Sequence, residues 1–345
     1  MKLSMPLSYA GGFKESAGQA VALEKAGLDT IWVAEAYGFD GVSLMGYLAA
    51  VTERVEIGAA ILPIYTRTAS LLAMTAAGVD ALSDGRCVLG LGASGPQVIE
   101  GFHGVPYTQP LTRTREIIDV CRMAWKRERL TYQGSTITLP LPPEHGTGLG
   151  KPLKMITHPV RDRIPIYVAA LGPKNVQMTA EVADGWLPLF YLPEKVDDVW
   201  GDALAAGAAK RSSDLGPLEI VAGGLVAVGD DAAELRDLAR PMVALYVGGM
   251  GARGRNFYND LAKRYGFEAE AVEIQDLYLD GRKDEAAAAV PDALLEATTL
   301  CGPEGYVRDR LAAYKAAGVS SLNVTPIAED VPALVAQLKE WIEHA

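Results

Sequence analysis

The chain has 345 residues, 49% of them hydrophobic, and a formal net charge of −11. That length suits one large α/β barrel or two ordinary domains, and the acidic balance without a Lys/Arg cluster argues against a nucleic-acid partner. No apolar run approaches a membrane span and MKLSMPLS carries no secretory pattern, so the expected setting is cytoplasmic, with no membrane partner.

Strand-like and helix-like segments alternate along the chain. Lys2–Ser8 predicts a strand, 14–26 a helix, Thr30–Ala34 the second strand and Val42–Thr52 the second helix. Val55–Leu62 reads as the third strand. Thr68–Ser83 is helical, with Leu71, Met74, Thr75, Val79 and Leu82 on one face. Asp84-Gly85 stops it, and Cys87–Leu91 is the fourth strand. A helix over 113–127 follows, then a small hairpin arm over Tyr132–Leu139 and a Pro/Gly-rich loop over Pro140–Lys151. Ile164–Ala170, Gly185–Phe190 and Leu218–Val228 read as strands five to seven. A helix over 232–247 follows the seventh, and a polar, acidic helical stretch over 256–290 interrupts the alternation. A helix over 304–317, an eighth strand over 320–325 and a helix over Val331–His344 close the chain. About eight βα units without a break in composition predict a (β/α)8 TIM barrel, one domain over 1–345. An open doubly wound sheet is the alternative. GLGASG at Gly90–Gly95 has the wrong register for a dinucleotide fingerprint.

The richest stretch is Ile164–Leu187. A β-branched and small apolar run fits a parallel strand covered on both faces. Gly172 permits close backbone approach, and Pro173 suits the first helical position. The free N–H groups of that helix start, with Lys174 beside them, form an anion site, or simply a strand-to-helix turn with a surface lysine.

In a barrel, chemistry sits at the C-terminal strand ends. Those ends carry Tyr9, then Glu35 and Tyr37, then Tyr65 and Arg67, then Ser94, and finally Phe190 and Tyr191. A ring so small, apolar and aromatic suits a planar cofactor better than metal or triad hydrolysis. Glu35 is the one carboxylate of the ring: either it exchanges protons or it orients a loop or cofactor by hydrogen bonding. Arg67 can pair with Glu35, contact an anion, or cap a helix. Ser94 can hydrogen-bond a cofactor ring or merely serve its turn. The aromatic residues either wall a pocket or pack the core. His103, His145, His158 and His344 form no ligand pair, and Cys87, Cys121 and Cys301 are too far apart for a zinc motif, so no metal is expected. The three thiols fit small core side chains in a reducing compartment.

Three motifs together resemble one family: GAAILPIYTRTASLLAMTAAGVDALSDGRCVLGLGAS (Gly58–Ser94), YVAALGPKNVQMTAEVADGWLP (Tyr167–Pro188) and CGPEGYVRDRLAAYKAAGVSSLNV (Cys301–Val324). They are similar to the luciferase-like monooxygenase superfamily, and within it to the coenzyme F420-dependent branch that includes methylenetetrahydromethanopterin reductase and F420-dependent glucose-6-phosphate dehydrogenase. The resemblance implies a bacterial-luciferase-like barrel and a lid within Gly248–Thr299. It also implies a non-prolyl cis peptide at the end of strand three, at Ala60–Ile61, backing the cofactor ring. It assigns Ala169, Ala170, Gly172, Pro173 and Lys174 to the cofactor phosphate, and implies a helical insertion around 248–299 and hydride transfer between the deazaflavin C5 and a small organic substrate. FMN is the alternative cofactor, in a monooxygenase, and a non-catalytic cofactor carrier or sensor is the second alternative. Sugar-phosphate-oxidising relatives place an Asp-His pair after strand two and a Gly-Glu after strand four. Glu35-Ala36 and Ser94-Gly95-Pro96-Gln97 stand here instead, which points to a reductase, with Glu35 or a tyrosine as proton donor. Relatives form dimers through helices two and three, and the Ala69–Val79 face is compatible with a homodimer or higher homo-oligomer.

Overall fold

Eight parallel strands close on themselves in the computed structural model, which describes residues 1–7 and 12–344, the Phe13 side chain excepted. They are β1 (Lys2–Pro6), β2 (Thr30–Val33), β3 (Glu56–Ala59), β4 (Cys87–Gly92), β5 (Ile166–Ala169), β6 (Gly185–Leu187), β7 (Glu219–Ala222) and β8 (Ser321–Asn323). Each pairs in parallel with its neighbours, and β8 closes on β1 through Lys2↔Ser321. The connecting helices are α1 (Phe13–Lys25), α2 (Gly41–Val51), α3 (Ala69–Leu82), α4 (Pro110–Trp125), α5 (Pro173–Val182) and α6 (Val196–Ala208). The expected (β/α)8 barrel is the fold observed.

Local chemistry sets several boundaries. Asp40 accepts the Ser43 N–H at the start of α2, and Thr68 accepts the Leu71 N–H at the start of α3. On α3 the expected apolar face is mostly the outer one. Leu72, Ala73, Ala76 and Ala77 pack on the barrel with Val79, whereas Leu71, Met74 and Leu82 are exposed. The small residues face inward because α3 lies close to the sheet and to α4.

Two expected strands are broken. Strand three stops at Ala59, passes through a cis peptide at Ala60–Ile61, and resumes at Leu62–Pro63 against the end of β4. Strand seven breaks at Gly223-Gly224, where a Cβ would overlap the carbonyl oxygens of Asn323 and Thr298. Beyond that break Leu225–Val228 joins Leu300–Gly302 and Thr325–Pro326 in a separate three-stranded parallel sheet. The expected helix over 232–247 is instead a 3-10 segment, a short α-helical turn and a π-helical turn over Leu245–Gly249. The insertion continues with α7 (Phe257–Arg264) and three further helices up to Thr298, then α8 (Glu304–Ala316) and α9 (Val331–His344) complete the shell.

Register advances around the barrel, so inward side chains stack in layers drawn from alternate strands. The lowest layer is charged: Lys2 holds Glu56 at 2.8 Å, Thr30 donates to Glu56, and the Tyr167 hydroxyl donates to Glu219. Above it Trp32, Val88, Tyr167 and Val221 form a buried plug, with the Trp32 and Tyr167 rings 5.6 Å apart across the interior. Ala60 and Leu187 lie on that plug. They, Pro6, Ala169, Gly223 and Asn323 are only half-buried. This step from buried to half-buried marks the floor of the C-terminal mouth.

Candidate active site

The mouth owes its shape to the bulge after β3. The β3 backbone swings toward β4 there, and β4 answers with glycine. A Cβ on Gly90 would overlap the Ala59 carbonyl oxygen, and one on Gly92 would lie 2.7 Å from Ile61 Cγ1. Gly90 and Gly92 therefore make room for the bulge, leaving Ala60 and Ile61 half-buried at the floor.

Glu35 and Arg67 come together at the adjoining rim. Arg67 Nη1 lies 2.5 Å from Glu35 Oε1 and Nη2 2.8 Å from Oε2, while the Gly41 N–H donates to the same carboxylate at 2.8 Å. Hydrogen bonding from Glu35 raises the Arg67 pKa above its ordinary value. The pair ties the loop after β2 to the loop after the bulge.

Ser94 is exposed and has φ +58°. Its carbonyl accepts the Tyr107 hydroxyl at 3.4 Å. Tyr107 stacks at 5.1 Å on Tyr65, whose hydroxyl donates to the Thr108 carbonyl and whose ring lies under Arg113. Burial pushes the Tyr65 hydroxyl up to about 12. Tyr65 is thus buried in loop packing, whereas Tyr37 is exposed with its ring 6.1 Å from Phe102. Phe190, at φ +54°, packs edge-on against Tyr246 and Tyr258 of the insertion. Tyr191 departs from its expected place in the pocket. It is 1% exposed, stacked between Trp200 and Tyr314 with its hydroxyl on the Ala317 carbonyl, in the helical shell. The reason is the turn: β6 ends at Leu187 and the left-handed backbone at Phe190 redirects the chain, so Tyr191 enters the shell while Phe190 stays with the insertion. Tyr9 lies outside the described residues.

After β5, Gly172 precedes α5 and Pro173 opens it, with no side chain capping the helix. Lys174 is exposed, and Ala169 faces the floor. Ala170 is buried toward the shell, where its carbonyl accepts the Trp186 indole N–H. A Cβ on Gly172 would stand 3.5 Å from the Phe257 ring at the start of α7, so the insertion reaches the strand-five turn. Asn256 fixes that arm. It caps α7 through the N–H groups of Tyr258 and Asn259 and donates to the Tyr246 and Val247 carbonyls.

A flat floor of small side chains beside an uncapped helix start fits a planar ring with a phosphate-bearing side chain. Two polar groups near that floor escaped the reading of the sequence. The indole N–H of buried Trp32 has no hydrogen-bond partner among the described residues. Asn323 ends β8 facing the interior. The pleat of strand eight was the signal available, because SSLNV alternates inward Ser321 and Asn323 with outward Leu322 and Val324. Among the described residues no cluster of three metal-ligating side chains occurs, and no helix is long and apolar enough to cross a membrane.

Residues 2–321 match the model of the luciferase-like monooxygenase family. A Mycobacterium tuberculosis protein named, provisionally, as a coenzyme F420-dependent oxidoreductase is 43% identical, over 94% of this chain and 95% of its own. The 5,10-methylenetetrahydromethanopterin reductase of Archaeoglobus fulgidus is 27% identical, over 89% of this chain and 88% of its own. The structure of the coenzyme F420-dependent tetrahydromethanopterin reductase of Methanopyrus kandleri superimposes with a TM-score of 0.81 at 21% identity, covering 99% of this chain and 98% of that one. With the barrel, the bulge after β3 and a family match over nearly the whole chain in place, this protein is a member of the luciferase-like monooxygenase family.

Proposed function

We propose that the protein is a coenzyme F420-dependent oxidoreductase working as a reductase on a small organic substrate. The observation that carries this reading is the mouth itself: a bulge at Ala60–Ile61 beside Gly90 and Gly92, with the uncapped start of α5 following β5 at the same end of the barrel. The 43% identity to the named oxidoreductase supports F420 over FMN. The bound deazaflavin would supply hydride chemistry.

The chain's residues would do the rest. Ala60, Ile61 and Ala169 support the ring, with Ser94 at its edge. The N–H groups at Gly172 and Lys174, with the lysine charge, hold the phosphate after Pro173. Ala170 assists through its backbone alone. Tyr37, Phe190 and the insertion's Tyr258 wall the substrate side and exclude water, the insertion over 248–299 acting as a lid on a single barrel domain. Glu35 accepts from both Arg67 and the Gly41 N–H, so we assign it a positioning role through Arg67 and leave proton donation to a mouth tyrosine. The exposed outer face of α2 and α3, with Tyr47, Leu71 and Met74, is proposed as a homodimer contact.

The test is titration of the purified protein with F420 and, separately, FMN, followed by fluorescence quenching. Saturable F420 binding much tighter than FMN binding is expected, and bleaching of reduced F420 by an electrophile panel should follow. Tighter FMN binding with oxygen consumption by the reduced flavin would overturn the assignment.

A further inference from the structure

We infer that Asn323 is the donor that reads the carbonyl edge of the planar cofactor, an inference that rests on the F420 reading above. Asn323 is the last residue of β8 and pairs in register with Ser4 of β1. Its Oδ1 accepts the Ser4 hydroxyl at 3.4 Å. Ser4 is also engaged by the Leu322 carbonyl and the Ser321 hydroxyl. The oxygen end of the carboxamide is thereby tied to the barrel wall. The nitrogen end has no partner among the described residues, although the side chain is half-buried at the floor.

The surroundings leave that nitrogen open to the mouth. Beside it β7 carries Gly223, where any Cβ would overlap the Asn323 carbonyl oxygen, so no neighbouring side chain can screen it. The residues above the plug include Pro6, Ala60, Ala169 and Leu187, whose side chains carry no hydrogen-bonding atom. An amide held at its oxygen end and open to the mouth at its nitrogen end is placed to donate to a ligand acceptor. The unpartnered indole N–H of Trp32 lies in the plug just below, a second donor without a partner among the described residues. The complementary ligand is an uncharged heteroaromatic dione, which presents carbonyl and ring-nitrogen acceptors, rather than a cation or an ammonium-bearing substrate. A deazaflavin ring has such an edge. Its phosphate would be held at α5, three strands round the barrel from β8, so both ends of the ligand find partners at one mouth.

The experiment measures F420 affinity by fluorescence quenching, and the visible absorption band of the bound cofactor, for wild type, Asn323→Leu, Asn323→Asp and Ser4→Ala. Asn323→Asp keeps the acceptor for Ser4 and removes the donor. Expected are a rise in Kd of about tenfold or more for both Asn323 variants, one lost hydrogen bond, together with a shifted absorption band, and a Ser4→Ala Kd within about twofold of wild type. Wild-type affinity and spectrum in both Asn323 variants would overturn the inference. So would a Ser4→Ala loss as large as theirs, since Asn323 would then be a purely structural partner of Ser4. Failure of wild type itself to bind F420 removes the cofactor reading first, and this inference with it.

Discussion

Arg67 and Glu35 form a two-point ion pair at the rim of the barrel, both side chains largely buried at 14% and 9% exposure, and the Gly41 N–H holds the same carboxylate. A carboxylate so placed is an anchor between two loops. Glu35→Gln should weaken folding by about 2–3 kcal/mol, because Arg67 keeps its burial and loses its partner, and should raise the F420 Kd. A proton donor would behave differently: Glu35→Gln would then abolish turnover while leaving cofactor affinity unchanged. Urea unfolding and fluorescence titration on one preparation separate the two.

Gly90 and Gly92 should differ sharply. Gly90→Ala puts a methyl into the Ala59 carbonyl oxygen, which is backbone and cannot move aside, so little folded protein is expected. Gly92→Ala meets only the Ile61 side chain. It should fold at a cost of about 1–3 kcal/mol and displace Ile61 into the mouth, weakening F420 binding. Adding Ile61→Ala should restore part of that affinity, read by thermal melt and titration.

Gly172→Ala should leave the melting temperature unchanged. Its φ is −70° and the new methyl would only touch the Phe257 ring at 3.5 Å. The same methyl should raise the F420 Kd by keeping the phosphate off the backbone. Lys174→Ala should raise it about fivefold to tenfold at low salt and less at high salt, as expected of an exposed charge. Titrations at two ionic strengths check both.

Acid should destabilise the protein through Glu24 and Glu116. Burial pushes both carboxyls up. The N–H groups of Val55, Arg54 and Glu53 outweigh it for Glu24, and the Thr136 side chain with the N–H groups of Thr136, Ser135 and Ile137 for Glu116, so both lie below the usual 4.5. Carboxyls depressed in the folded state contribute stability above their unfolded value, and that contribution is lost as pH falls through the folded value. Urea unfolding from about pH 7 to about pH 3 should show stability falling below about pH 4.5. Glu116→Gln should lower it by about 1–3 kcal/mol at neutral pH and flatten the acid slope.

The sequence carried the barrel legibly because each strand read as a short apolar run between helices with their own stops. Pattern could not show which face of α3 is inner. Alanine packs closest to a sheet, yet Leu71, Met74 and Leu82 look the more hydrophobic. Pairing of Glu35 with Arg67 was anticipated as one option, since both fall at adjacent strand ends. Tyr191 was misplaced because a strand end that also turns loses its alternation. Asn323 went unseen because the eye for catalysis looks for charge, and a neutral amide announces itself only when its unpaired nitrogen is visible.

The α2–α3 face offers a simple check on assembly. Leu71→Asp with Met74→Asp replaces two exposed apolar side chains that contribute nothing to the core. The double variant should melt within a few degrees of wild type and elute as a monomer where wild type elutes as a dimer, by light scattering.

The plug of Trp32, Val88, Tyr167 and Val221 seals the barrel below the mouth with side chains drawn from the strands alone. Rigidity is therefore settled one storey beneath the place where ligands are met. Substitutions among the loops and rim residues can accumulate without reopening the interior, so a lineage could exchange one substrate for another while the foundation stays intact. Such separation makes this barrel a good starting point for directed evolution of new activities.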